Sequence, residues 1–225
     1  METIENRWHR IRQIIGTKDV TVIAISKKQL FSTIHHAYDL GIRHFGENYV
    51  QEALPKIQES AERELKIQWH YVGALQTNKM NKIVPNVEYV HAIDSDSQIE
   101  KLKKMQESGM VIPKLLVQLN VANEDTKSGL HEAEIKPFLE KVSQCTQLEI
   151  SGLMTFPPMQ ADPEKSRPYF ARTNEWKEII NGWRLDRIQI KDLSMGVSND
   201  YQVAIEEGAT MIRLGEAIFG PRDKV

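Results

Sequence analysis

The chain has 225 residues, 40% of them apolar and 27% charged, with a formal net charge of −2 and one cysteine. That is enough chain for one large domain with a sizeable core, and the near-neutral balance argues against nucleic acid as a partner. No apolar stretch approaches the roughly 18 residues of a membrane span, and Met1-Glu2-Thr3-Ile4-Glu5 lacks the charge and apolar core of a signal peptide. Cys145 can form no internal disulfide, so the expected home is the reducing cytoplasm. Late in a predicted helix, it reads as core filler rather than nucleophile.

In chain order, a helix is expected over Ile4 to Ile15, ahead of the first strand. Strands are expected near 20–26, 43–46, 68–73, 87–92, 113–121, 148–155, 189–194 and 211–214, with amphipathic helical stretches between them, such as Ile34 to Leu40 and Ile99 to Gln106. Gly41, Gly109, Gly182 and Gly208 stand where left-handed helix ends are needed, and Asp94-Ser95 and Asp162-Pro163 supply helix starts. Lys101-Leu102-Lys103-Lys104 is a solvated helix face flanked by Glu100 and Glu107. Eight strand–helix units without an internal linker predict one α/β domain over 1–225, a (β/α)8 TIM barrel. The extra N-terminal helix is placed to cover the barrel's bottom. A doubly wound sheet is the alternative, but no Gly-rich turn follows the first strand.

Val20-Thr21-Val22-Ile23-Ala24-Ile25 is apolar on both faces, as a buried parallel strand is, and it runs into Ser26-Lys27. Barrels bind ligands at the carboxyl ends of their strands, so Lys27 either snorkels to water or presents its amine in a pocket, ready to attack a carbonyl. The loops after strands seven and eight are the expected phosphate site. They carry Ser194, Gly196 and Ser198, then Gly215. Two hydroxyls, a close-approach glycine and the start of a helix through Val203 to Glu207 could bind a dianion; the competing reading makes the serines helix caps. Alternation in Met211-Ile212-Arg213-Leu214-Gly215 turns Arg213 inward, where it needs a carboxylate, a phosphate or a ring nitrogen.

A lysine, a phosphate cradle and an inward arginine at one mouth suit pyridoxal 5′-phosphate (PLP). Its aldehyde condenses with an unprotonated amine, so Lys27 must fall below the reference pKa of about 10.4, as burial beside Arg213 would favour. A lysine-dependent sugar-phosphate aldolase needs the same parts. Asn48 and His70 fit hydrogen-bonded core polars at least as well as ligand contacts. His35-His36 has no metal spacing, and Asn123 to Gly129 is a mouth loop or a turn.

Ala24-Ile25-Ser26-Lys27, Phe45 to Glu52, Trp69 to Lys79, Asn120 to Gly129, Gly152-Leu153-Met154 and Leu193 to Gly220 together resemble the pyridoxal phosphate homeostasis protein family, in the same order and over nearly the whole chain. The resemblance implies a barrel like the N-terminal domain of bacterial alanine racemase, with the cofactor as an aldimine on Lys27. It implies phosphate against Ser194 to Ser198 and Gly215, the pyridine nitrogen facing Arg213, Asn48 and His70 near the ring or its lysine, and Met154 among the cofactor-binding residues. Lys28-Gln29-Leu30 and Val197 depart from the family at loop positions where proline and methionine are frequent. The family's link to vitamin B6 balance implies a carrier or regulator rather than an enzyme, with PLP-requiring apo-enzymes as recipients. A PLP-dependent racemase is the runner-up. It would need a proton donor on the second face of the ring.

Overall fold

The computed structural model describes residues 2–124, 127–144 and 148–221. Cys145 lies outside them, as does part of the Asn123 to Gly129 loop.

Eight parallel strands close into a barrel in sequence order, each joined to the next through helix. The strands are β1 (Thr21–Ile25), β2 (His44–Glu47), β3 (Gln68–Tyr71), β4 (Tyr89–Ile93), β5 (Lys114–Leu119), β6 (Ile150–Thr155), β7 (Ile188–Val197) and β8 (Met211–Leu214). β8 pairs with β1 through Thr21↔Met211 to Ala24↔Leu214, which removes both sheet edges. The helices are α1 (Ile4–Ile15), α2 (Phe31–Asp39), α3 (Val50–Glu62), α4 (Thr77–Ile83), α5 (Asp96–Glu107), α6 (Glu132–Gln144), α7 (Arg167–Gly182), α8 (Tyr201–Glu206) and α9 (Glu216–Phe219). None among the described residues is long and apolar enough to cross a membrane.

Alternation sorts each strand's side chains between two cores. Val22, Ala24, Ile212 and Leu214 face outward into the large cluster beneath the helices, while Ile23 and Met211 join Tyr89 and Leu116 inside the barrel. The inside is unusually polar: His70, His91, Ser194 and Arg213 are all buried. Gly46 is required there, because a Cβ would stand 2.7 Å from Ile25 Cδ1 and 2.9 Å from Ile23 Cγ2.

Three expectations change. First, α1 does more than border the floor, where Trp8, Arg12 and Ile15 line a cavity with Thr21 and His44. It also packs on the outside, with Arg7 against Gly220 just beyond α9 and Trp8 Nε1 donating to the carbonyl of Leu40 at the end of α2 (3.0 Å). The helix after β8, α9, is a single turn, and α1 packs against it. Second, Ser194 to Val197 is strand, not loop: β7 continues through Val197. Gly196 takes φ +88° and a Cβ there would meet Ala204 Cβ at 2.5 Å, so the close approach of α8 requires glycine. Third, Gly182 belongs to α7, and the left-handed residue after that helix is Arg184 (φ 52°).

Candidate active site at the barrel mouth

A cavity of about 760 Å3 opens at the carboxyl ends of the strands. Lys27, Asn48, Met154, Ser198, Arg213 and Gly215 all line it. His70, Ser194 and Gly196 do not: the first two lie deeper in the barrel and Gly196 borders a small side recess. Sequence reasoning missed Phe156, Met159 and Gln160 on the loop after β6, and Asn199, whose Nδ2 donates to the carbonyl of Gln160 (2.8 Å) and ties the two loops. Loop side chains follow no periodicity, so nothing in the sequence marked them.

Lys27 is held by a clamp on both sides of its backbone. Lys56 Nζ on α3 donates to the Ser26 carbonyl (2.8 Å) and to Glu47 Oε1 (2.7 Å), and Ser26 Oγ donates to the same Glu47 oxygen (2.6 Å). On the other side Lys28, at φ 63°, donates its N–H to Glu52 Oε2 (2.6 Å). Burial raises the Glu47 pKa, with Lys56 and Ser26 opposing. The sequence hides this clamp because it joins residues from three elements with no shared motif.

Arg213 is 4% exposed, yet no carboxylate forms a salt bridge with it among the described residues. Nη1 donates to the Ser194 carbonyl (2.6 Å) and to Ser194 Oγ (2.7 Å), and Nη2 donates to the Thr155 carbonyl (2.8 Å). Burial pushes its pKa down to about 10, with Asp200 opposing. Neutral acceptors hold the guanidinium without cancelling its charge, which leaves a cation at the base of the cavity.

Ser198 Oγ accepts from the N–H groups of Gly215 (3.2 Å) and Ala217 (3.1 Å), so it caps α9 rather than α8. A hydroxyl with both lone pairs engaged still has its own proton to donate. A Cβ on Gly215 would meet only Ile25, at 3.8 Å; it would otherwise fill cavity space. Asn48 is fixed by Tyr71, whose hydroxyl donates to its carbonyl (3.1 Å), and by Gly73, where any Cβ would collide with that carbonyl. Its Oδ1 is buried without a hydrogen-bond partner, the kind of acceptor a ligand satisfies. The mouth thus offers a primary amine, a fixed cation, a hydroxyl donor and an orphaned acceptor.

The family of the alanine racemase N-terminal domain matches residues 1–223. The pyridoxal phosphate homeostasis protein of Synechocystis is 37% identical, over 93% of this chain and 96% of its own, and that of Aquifex aeolicus is 34% identical, over 92% and 89%. The chain belongs to the pyridoxal phosphate homeostasis protein family. One solved structure similar to it is PipY of Synechococcus elongatus with PLP bound, at a TM-score of 0.87 and 32% identity over 97% of this chain and all of that one.

Proposed function

We propose that the protein binds PLP at the barrel mouth, with Lys27 holding it as a Schiff base, and that it serves vitamin B6 balance as a carrier and buffer in the cytoplasm. The observation that carries this is the meeting of the Lys27 amine, the Arg213 guanidinium and the Ser198–Gly215 corner around one cavity. The residues fit the cofactor: the unpartnered Asn48 oxygen takes a donor, the space a Gly215 Cβ would fill takes the phosphate, and the Ser198 proton is available to it. Condensation of the amine with the aldehyde releases one water. Relatives named for PLP homeostasis, and a PLP-bound neighbour, support the assignment.

Bound there, the cofactor supplies a conjugated ring able to withdraw electrons from the linkage. Arg213 works against its full use. As a donor near the ring nitrogen it disfavours protonation of that nitrogen, which weakens the electron sink. Phe156 is 47% exposed and Met159 87% exposed at the rim, so the site stays open to water rather than enclosing a reaction. Both features favour holding and handing over the cofactor, with PLP-requiring apo-enzymes as the recipients.

The test is borohydride reduction of the loaded protein followed by peptide mapping, which should place the pyridoxyl group on Lys27. Label confined to another lysine would refute the assignment. In deuterated water, amino acids should exchange their α-hydrogen no faster than with free cofactor; rapid exchange that vanishes in Lys27→Ala would assign a racemase instead.

A further inference from the structure

The barrel interior holds polar groups that the mouth cavity does not use. His44 begins β2, His70 and His91 lie on β3 and β4, and Ser194 lies on β7 against Arg213. They are joined end to end. His44 Nδ1 is 2.9 Å from His70 Nε2, His70 Nδ1 is 2.8 Å from His91 Nε2, and His91 Nδ1 is 2.9 Å from Ser194 Oγ. Arg213 Nη1 completes the line at 2.7 Å from the same oxygen. At the other end His44 is half-buried and borders a second cavity, of about 340 Å3, beside Arg12 and Thr21 at the barrel floor. The chain therefore runs from the floor to the mouth.

Neutral rings can fill these links in only two ways. Either all three carry the proton on Nε2 and the donors point from mouth to floor, or all three carry it on Nδ1 and the donors point back. Arg213 decides between them. A guanidinium only donates, so Ser194 Oγ accepts from it and passes its own proton to His91 Nδ1. In the reverse order Ser194 would accept from both sides, and no described residue supplies an acceptor for its proton.

The surroundings keep the rings neutral. Burial and then the Arg213 charge push the His91 pKa down to about 3. Burial and the adjoining rings hold His70 well below the usual value, and burial and Lys114 lower His44. Tyr89 stacks on His70 with centroids 4.4 Å apart, and its hydroxyl accepts from Lys114, which has Asp192 nearby. Asp200 is the acidic group acting on Arg213. No carboxylate among the described residues hydrogen-bonds any of the three rings.

We propose that His91, through Ser194, is a positioning residue for Arg213, and that the His44–His70–His91–Ser194 chain is a tautomer-locked strut that aims the guanidinium at a ligand's ring nitrogen. The aiming rests on the proposed PLP site; the lock does not. With Nη1 held by Ser194 and Nη2 by the Thr155 carbonyl, the fork cannot turn to suit a different ring. The strut thereby becomes a specificity determinant, distinguishing a pyridine nitrogen from a C–H at the same place.

Two measurements test it. In ligand-free protein with 15N-labelled histidine, long-range 1H–15N spectra should show His44, His70 and His91 neutral and protonated on Nε2 at about pH 8, with His91 still neutral at about pH 5.5. Protonation on Nδ1, or titration near the ordinary histidine value, overturns the strut whether or not PLP binds. In the second measurement, the affinity for PLP is divided by that for its analogue with C–H in place of the ring nitrogen. The wild-type ratio should favour PLP, fall by about fivefold or more in His91→Phe, and return in His91→Asn, whose side-chain oxygen again accepts from Ser194. An unchanged ratio in folded His91→Phe overturns the positioning role; if that variant does not fold, Ser194→Ala carries the same comparison. A wild-type protein that binds neither ligand would refute the mouth assignment and the aiming together, leaving the spectra to decide the lock.

Discussion

The two serines expected to share one phosphate loop do different work. Ser198 reaches the cavity and bridges to Gly215 and Ala217, whereas Ser194 is wholly buried and bonds Arg213. Ser198→Ala should therefore weaken PLP far more than unphosphorylated pyridoxal, by roughly 1.5–3 kcal/mol for the lost charge-assisted bond. Ser194→Ala should weaken both ligands alike, because its effect passes through the ring-facing arginine. Parallel binding titrations of the two variants check this; equal loss of both ligands in Ser198→Ala would make that serine a cap alone. His70 belongs with Ser194. It is a hydrogen-bonded barrel polar, whereas Asn48 keeps an oxygen free at the mouth.

At the scale of elements, strand β1, helix α3 and strand β2 meet at the Lys27 clamp. Glu47 is 1% exposed and its second oxygen has no partner, so its charge depends on Lys56. Lys56→Met should cost about 3–5 kcal/mol, the usual penalty for stranding a buried charge, and Glu47→Gln in the same chain should recover much of it. Urea unfolding of wild type, each single variant and the double variant measures this, and additive losses would refute the coupling. The strands and their order were legible in the sequence because buried parallel strands are short apolar runs between glycine-closed helices. The inward turn of Arg213 was legible through alternation in β8. The extent of β7 was not: Ser194-Met195-Gly196-Val197 has the composition of a turn, and only pairing with β6 and β8 keeps it extended. The His44–His70–His91–Ser194 chain was equally hidden, since its members are joined across four strands and share no spacing.

For the molecule as a whole, the buried histidines link stability to pH. An unfolded histidine takes up a proton near pH 6.5, but His91 in the folded barrel resists until about 3. Its share of the stability is thus complete above about pH 6.5 and is lost as pH falls toward 3, with a slope of up to about 1.4 kcal/mol per pH unit. Buried Glu47 and half-buried Asp94 and Asp192 have raised pKa values and act in the opposite sense, losing stability as pH rises through those values. The difference in unfolding free energy between wild type and His91→Phe isolates the histidine part. It should climb from pH 3 to 6.5 and be flat above 7; a flat difference throughout would show that His91 titrates normally.

The placement of α1 also bears on how the chain comes into being. Helix α1 and strand β1 leave the ribosome well before their neighbours α9 and β8. At ~5–20 residues per second, β1 waits on the order of ten seconds or more with one edge unpaired and its outer face uncovered. A barrel of this kind cannot be assembled piecemeal from either side. Its birth is a period of exposure that ends only when β8 arrives to pair with β1.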